Sequence, residues 1–597
     1  MSRTILALVA ISLALGAAEV PDFIPPANSG VINVRDHGAV GDGVADDTAV
    51  IRAAITAAFD RDNRYAAPPM VYLPAGTYRI TDSIASQHLK KGWSSGWLSG
   101  SLIKGQHRDK TIIKLDDNAP GFGDAKKPRF VMATGSEADG GNDGGGGNRA
   151  FRHAIMNLTV DVGSGNPGAV AVDLVVSNRG TLEDAVLRAG PDSGWCGLRM
   201  DRWWPGPGLI KNVRIEGFAQ GIRMAGHWQY SMTFDQIELI GQRDVGLLAE
   251  HNPVFAQRMR FEGPAQAIRI TEGDHLLVLL DSEIIGSDGA TGAAIRTEGI
   301  ADIRDLRCSG FQTIIDGRGD NNLAAKNAKR SERVERWAQG TQVKRNGKSP
   351  EPLNLKVEQT PRVFPGKKDW VDGSGDLQSA LDQGGIVYLP QGNYDIKQTL
   401  VVRDNVQALI GFQSSLRMVG EGPVMRIENK RKAVVLEHLW FEGTIEHVGT
   451  GSVALRHCDV HKGKFMAIGR GKTFIEDVIG RYEVGAGHKL WARQTNAEFG
   501  EEPLLINRGG AMWLLGFKTE GEMVCIEQES GATELLGGFF YPLRDVPGNR
   551  PAIDLKGGSF AGSWVYNGKH YPVHVREGET DHRGDWGRGP ALWSTGR

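Results

Sequence analysis

The chain has 597 residues, too many for one ordinary core, which leaves two domains or one long repeat array. A formal charge of −2 excludes bulk attraction to nucleic acid or an anionic membrane surface. Eighty glycines fit a fold of short strands and sharp turns, and four cysteines without a CxxC argue against zinc.

Residues 1–18 read as a secretory leader. Arg3 gives the positive start, Ile5–Leu15 the apolar run and Gly16-Ala17-Ala18 the small-residue cleavage site, so an exported protein is expected. Val31–Phe59 begins with a short strand and a Gly/Asp turn. Asp46-Asp47-Thr48 then supplies an N-cap for a helix over Thr48–Phe59. Val71–Ile84 (VYLPAGTYRITDSI) reads as strand, turn, strand. The DGVADD segment lacks the GK[ST] ending of a phosphate loop. This opening resembles right-handed parallel β-helix proteins that act on polysaccharides, in which the helix covers the first coil.

Further lines break at Gly after apolar/polar alternation: AIMNLTVDV, GLIKNVRIEGF, SMTFDQIELIG, DHLLVLLDSEIIG and ADIRDLRCSGF. Asp139–Asn148 (DGGNDGGGGN) reads as a loop. Arg318–Pro365 is rich in Lys, Arg, Asn and Pro. It reads as a solvated linker with one short helix at Ala324–Trp337. The opening then recurs: VYLPxGxY appears at Val71 and again at Val387, and Gly375–Leu381 stands where the first helix stood. Four cysteines (Cys196, Cys308, Cys458, Cys525) leave disulfides and buried thiols equally open.

The most informative stretch is His488–Glu522. It holds two similar lines, LWARQTNAE and MWLLGFKTEGE. Trp491 and Trp513 are 22 residues apart, and so are Glu498 and Glu520. One spacing for two residue types indicates a coil period, which puts Glu520 one coil above Glu498, about 4.8 Å away. Two carboxylates that close cannot both ionise cheaply, so one is expected to have a raised pKa. Such a pair suits a glycosidase, while two exposed glutamates on a solvated ladder meet the spacing equally well. By alternation Gln494, Asn496 and Glu498 share a face, as do Gly516, Lys518 and Glu520. Asn496 then sits beside Lys518 in a polar strip that suits sugar hydroxyls, while a structural hydrogen-bond ladder on the coil surface accounts for Asn496 equally well. Trp491, Trp513 and Arg493 have the opposite parity, which makes the tryptophans packing residues and sends Arg493 to another partner.

With these lines in hand, the chain resembles glycoside hydrolase family 55, the β-1,3-glucanases called laminarinases. The resemblance implies an all-β fold of tandem right-handed parallel β-helices, two side-by-side solenoid domains, each with a short N-terminal capping helix. The boundaries expected are 28–317, a linker at 318–365, and 366–597. It also implies Glu520 as general acid, and Glu498 with Gln229 placing the attacking water in an inverting reaction. Gln229 comes from Gly226–Ser231, which is similar to a family line, although Trp228 stands where that line has a Gln. Trp228 and Tyr230 are candidates for sugar stacking, and Gln494, Asn496 and Lys518 for hydroxyl binding. No cofactor or metal is expected, since no HxH or HExxH occurs. The partner expected is a polysaccharide, taken by a monomer. The alternatives are a polysaccharide lyase or polygalacturonase, for which only Gly487-His488 hints at the GHG line, and a non-catalytic carbohydrate-binding β-helix.

Overall fold

A computed structural model describes residues 21–59, 67–85, 100–134, 150–202, 204, 206–226, 230–271, 275–287, 290, 292–343, 348–498, 500 and 503–595. The leader at 1–18 and the Gly-rich Asp139–Asn148 lie outside them. So do Trp228 and Gln229.

The chain is an all-β right-handed parallel β-solenoid. Among the described residues its strands form three sheets of 14, 10 and 21 strands. The first two sheets take strands from Ile32–Asn33 to Glu332–Gln339, and the third runs from Trp370–Asp372 to Trp593–Ser594. Inward side chains make one apolar interior between Val34 and Val334 and a second between Leu377 and Trp593. Two α-helices occur among the described residues, Thr48–Phe59 and Leu377–Gln383. Each buries an apolar face against the first strands of its half. In the second helix Asp376 caps Ser379 N as an N-cap should.

The strands bend at a stacked corner. Asn157, Asp184, Asn212, Gln236, Arg258, Asp281 and Asp305 all have φ between 44° and 59°. The parallel pairing steps over each of them up to Arg258: Glu183 pairs with Lys211 and Ala185 with Val213, with Asp184 and Asn212 left out. Asn and Asp tolerate this left-handed backbone better than most residues, and stacked on successive rungs their side chains meet, as where Asn212 Nδ2 donates to Asp184 Oδ1 at 2.6 Å. The second half repeats the corner with His438, His457, Asp477 and Gln494.

The first sheet faces the second half. A third apolar cluster draws on both, setting Tyr72, Phe255 and Val278 with Phe474, Trp491 and Trp513. Beside it runs a buried ladder of alternating charge. Glu437, Arg456, Glu476 and Arg493 occupy successive rungs. Opposite them, Lys104 meets Glu437 at 3.3 Å, Glu183 meets Arg456 at 2.5 Å, Lys211 meets Glu476, and Asp235 meets Arg493 at 3.0 Å. A slip of one rung would set Glu183 against Glu437 or Glu476, two like charges in a dry interface, so the ladder specifies the register between the halves.

Two expectations fail. Ala324–Trp337 is not helical: Glu332–Gln339 is a strand, paired antiparallel with Ile300–Ser309. A helix there would leave the open edge of the last coil unpaired, and the strand covers it while burying Val334. Nor is 318–365 wholly solvated. Leu355 N donates to Glu534 at 2.8 Å, Lys356 O accepts from Trp491 Nε1 at 2.9 Å, and Arg362 pairs with Glu183 at 3.1 Å. All four cysteines are buried free thiols.

Candidate active site at Glu498, Lys518 and Glu520

Three consecutive rungs build the site: strands Lys489–Glu498, Leu505–Glu520 and Ile526–Tyr541. Glu498 pairs in register with Glu520 and Glu520 with Tyr541, and the neighbouring row is Asn496, Lys518 and Phe539. The corner explains why these rows face outward together with Trp491 and Arg493. Gln494 (φ 54°) and Gly516 (φ 75°) are stepped over by the pairing, so alternation restarts after them. The leg before the corner presents Trp491 and Arg493 to the first half. Trp491 stacks on Phe474 at 5.0 Å, and Arg493 pairs with Asp235. The leg after it presents Asn496 and Glu498. Gly516 is required at the bend, since a Cβ there would stand 2.0 Å from Thr233 Oγ1 of the first half.

Gln494 therefore does not lie on the expected strip. It is 1% exposed at the corner, and its Nε2 donates to Asp477 Oδ1 at 3.5 Å. The parity reading failed because it counted straight through a bend. Asn496 and Lys518 do sit side by side, but both are buried and serve the carboxylates. Lys518 Nζ donates to Glu498 Oε1 at 2.6 Å and to Glu520 Oε2 at 2.7 Å. Asn496 Nδ2 donates to Glu498 Oε1 at 2.8 Å and also to Asn178 O at 2.8 Å. Asn178, from the first half, donates to Glu498 Oε2 at 3.2 Å.

The expectation of a bare, mutually repelling pair needs correction, because a buried ammonium bridges it. Burial would push the Glu498 carboxyl up, but the Lys518 charge and its hydrogen bond, Asn496, and the Arg152 charge hold it below the usual range. Lys518 is pulled down by burial and raised above its ordinary value by Glu498 and Glu520. The two carboxylates differ in access: the Glu520 side chain is 23% exposed and that of Glu498 8%. Since both bond one nitrogen, at 2.6 and 2.7 Å, their nearest oxygens lie no more than about 5.3 Å apart, an approach on the side of the roughly 5–5.5 Å between the carboxyl groups of retaining glycosidases rather than the roughly 6.5–9.5 Å of inverting ones.

Tyr230 of the first half reaches this place. Lys518 Nζ lies 5.6 Å from its ring centroid, and the ring meets Tyr541 at 5.5 Å and Phe539 at 6.1 Å. Burial, then Tyr541 and the two glutamates, raise its phenol and keep it neutral. Tyr541 and Asn178 were missed. Tyr541 could have been found 21 residues beyond Glu520, on the next rung, whereas no spacing signals Asn178. Among the described residues no group of three or more His, Cys, Asp or Glu could hold a metal ion.

Residues 31–252 match a family model described as rhamnogalacturonase A/epimerase, pectate lyase-like. Mannuronan C5-epimerases of Azotobacter vinelandii are similar over short stretches. AlgE1 is 57% identical over 88 residues, 14% of this chain and 5% of that protein, and AlgE5 is 44% identical over 88 residues, 14% and 8%. The chain thus spans under a tenth of the length of these relatives. Among solved structures, a variant of sacteLam55A from Streptomyces sp. SirexAA-E in complex with glucose aligns over 94% of this chain and 97% of its own, with 11% identity and a TM-score of 0.40. The catalytic unit of a GH87 α-1,3-glucanase from Streptomyces thermodiastaticus covers 83% and 69%, with 11% identity and a TM-score of 0.28. The sequence matches named here are to epimerases rather than to β-1,3-glucanases.

Proposed function

We propose that this chain is an exported glycoside hydrolase that cleaves β-1,3-glucan at the Glu498–Glu520 pair. The observation that carries the reading is the pair itself: two carboxylates in register, of unequal access, sharing one buried ammonium where residues of the other half arrive. Glu520, the more open, donates a proton to the leaving glycosidic oxygen. Glu498, held ionised by Lys518, directs water to the anomeric carbon and stabilises positive charge growing there. Tyr230 and Tyr541 wall the site with rings on which a sugar can stack. The two halves act as paired domains that meet at this site, and each helix closes the open end of its coil.

Inversion follows from the family resemblance, while the close approach of the carboxylates favours a second reading, retention with Glu498 as nucleophile. Proton NMR of fresh product from laminarin decides: an initial α-anomer means inversion, an initial β-anomer retention. The epimerase matches favour a further reading, action on a uronan. Incubation with laminarin, polygalacturonate and polymannuronate, with and without chelator, separates these. Glucose or laminarioligosaccharide release that survives chelation supports the proposal. Unsaturated product, or a changed uronate ratio, overturns it.

A further inference from the structure

The second sheet of the first half faces away from the carboxylate site, since the contacts with the other half come from the first sheet. Its outer surface carries one in-register row: Arg199, Arg223, Leu248, Arg269, Arg296 and Asp316. At the end of that row lies a depression of 670 Å3, lined among others by Arg243, Asp244, Gln266, Arg269, Arg296 and Asp316.

Three features characterise it. Its lining charges cancel: Arg243, Arg269 and Arg296 stand against Asp244, Glu298 and Asp316. The ion pairs are loose, with Arg269 to Asp244 at 3.8 Å, Arg296 to Glu298 at 3.4 Å and Arg296 to Asp316 at 3.8 Å. In the interface ladder, by contrast, Glu183 and Arg456 close to 2.5 Å. Finally, the floor is ordered: Gln266 Nε2 donates to Ala293 O at 3.0 Å, and its Oε1 accepts from Arg269 Nε at 2.8 Å. The Arg269 fork is thus held in place while its outer nitrogens make no close contact with Asp244.

We propose that this depression is a second binding site, for a segment of neutral polysaccharide. Arg243 is already bound to the carbonyls of Ser193 and Gly194, but the guanidinium groups of Arg269 and Arg296 that donate and the carboxylates that accept, interleaved with no net charge, match the hydroxyls of an uncharged sugar, which do both. A polyanion would meet Asp244, Glu298 and Asp316, and a polycation the three arginines. Loose exposed pairs are weak, so sugar hydroxyls displace them at little cost. The site would hold a polymer while the carboxylate pair works elsewhere on it, but its occupancy does not depend on catalysis.

The test is affinity electrophoresis of the full chain in gels containing laminarin or polygalacturonate. Wild type, Glu520→Gln and the double variant Arg269→Ala/Arg296→Ala are compared, with folding checked by thermal melting. Retardation by laminarin is expected for wild type and Glu520→Gln, with an affinity loss of about ten-fold in the double variant. Arg296→Ala alone, at a half-exposed position, serves should the double variant not fold, with a smaller loss in the same direction. Equal retardation of variant and wild type, retardation by polygalacturonate instead, or none by laminarin overturns the proposal. Loss of hydrolysis in Glu520→Gln with binding retained separates this site from the catalytic one.

Discussion

Replacing Lys518 with Met removes the charge that lets Glu498 and Glu520 sit together while keeping most of the side-chain volume. Two carboxylates about 5 Å apart at an effective dielectric of about 20 repel by about 3 kcal/mol. Repulsion of that size lets the bare pair hold one shared proton above the ordinary carboxylate range. In wild type, Glu498 is held below its usual value, so its stabilisation is present above the unfolded value near ~4.3 and is lost as pH falls through the folded one. In the variant the sign reverses: the shared proton is held above the unfolded value, and stability is lost as pH rises. Urea unfolding at pH 4.5 and pH 8 should show a variant destabilised by about 3 kcal/mol more at pH 8. An equal difference at both pH values would refute the claim that Lys518 acts by charge.

Lys211→Glu or Glu476→Lys alone should cost at least about 3–5 kcal/mol, because each sets two buried like charges against each other. The double swap should recover only part of this, because each new charge meets like charges among its neighbours, such as Lys211→Glu beside Glu183 and Asp235; denaturant melts and the coupling between the two changes check it. His457, fully buried between Glu183 at 2.9 Å and Asp477 at 3.0 Å, is pulled down by burial but raised overall by these carboxylates. Its stabilisation is fully present below about pH 6.5 and is lost as pH rises through the raised folded value. The melting temperature should fall over that window in wild type, and His457→Gln should flatten it.

The parts of this fold that repeat were legible. The coil period placed Glu498 beside Glu520, and the duplicated VYLP line at Val387 falls on the second strand of the third sheet, next to Trp370–Asp372. What the sequence hid were conformations and contacts that alternation cannot encode. The left-handed corner consumes one residue per rung, so counting parity across Gln494 misplaced it. A signal was present, a lone polar residue at one place in each line (Asn157, Asp184, Asn212, Gln236), legible only as a column. The interface ladder was hidden for another reason: Arg456 and Glu476 look like solvated charges until the opposite charges of the first half are set against them. Lys518 was read as a sugar ligand because its distance to the two glutamates follows from side-chain reach rather than from strand spacing.

The most direct measurement is the rate of sugar release from laminarin by the wild-type chain and by Glu520→Gln, with both shown by melting to be equally folded. The expected result is steady release by wild type and a loss of about 10²–10⁴-fold in the variant, the range of a positioned general acid. Equal rates in the two proteins, or a folded wild type that releases nothing, would contradict the assignment of hydrolysis to this carboxylate pair.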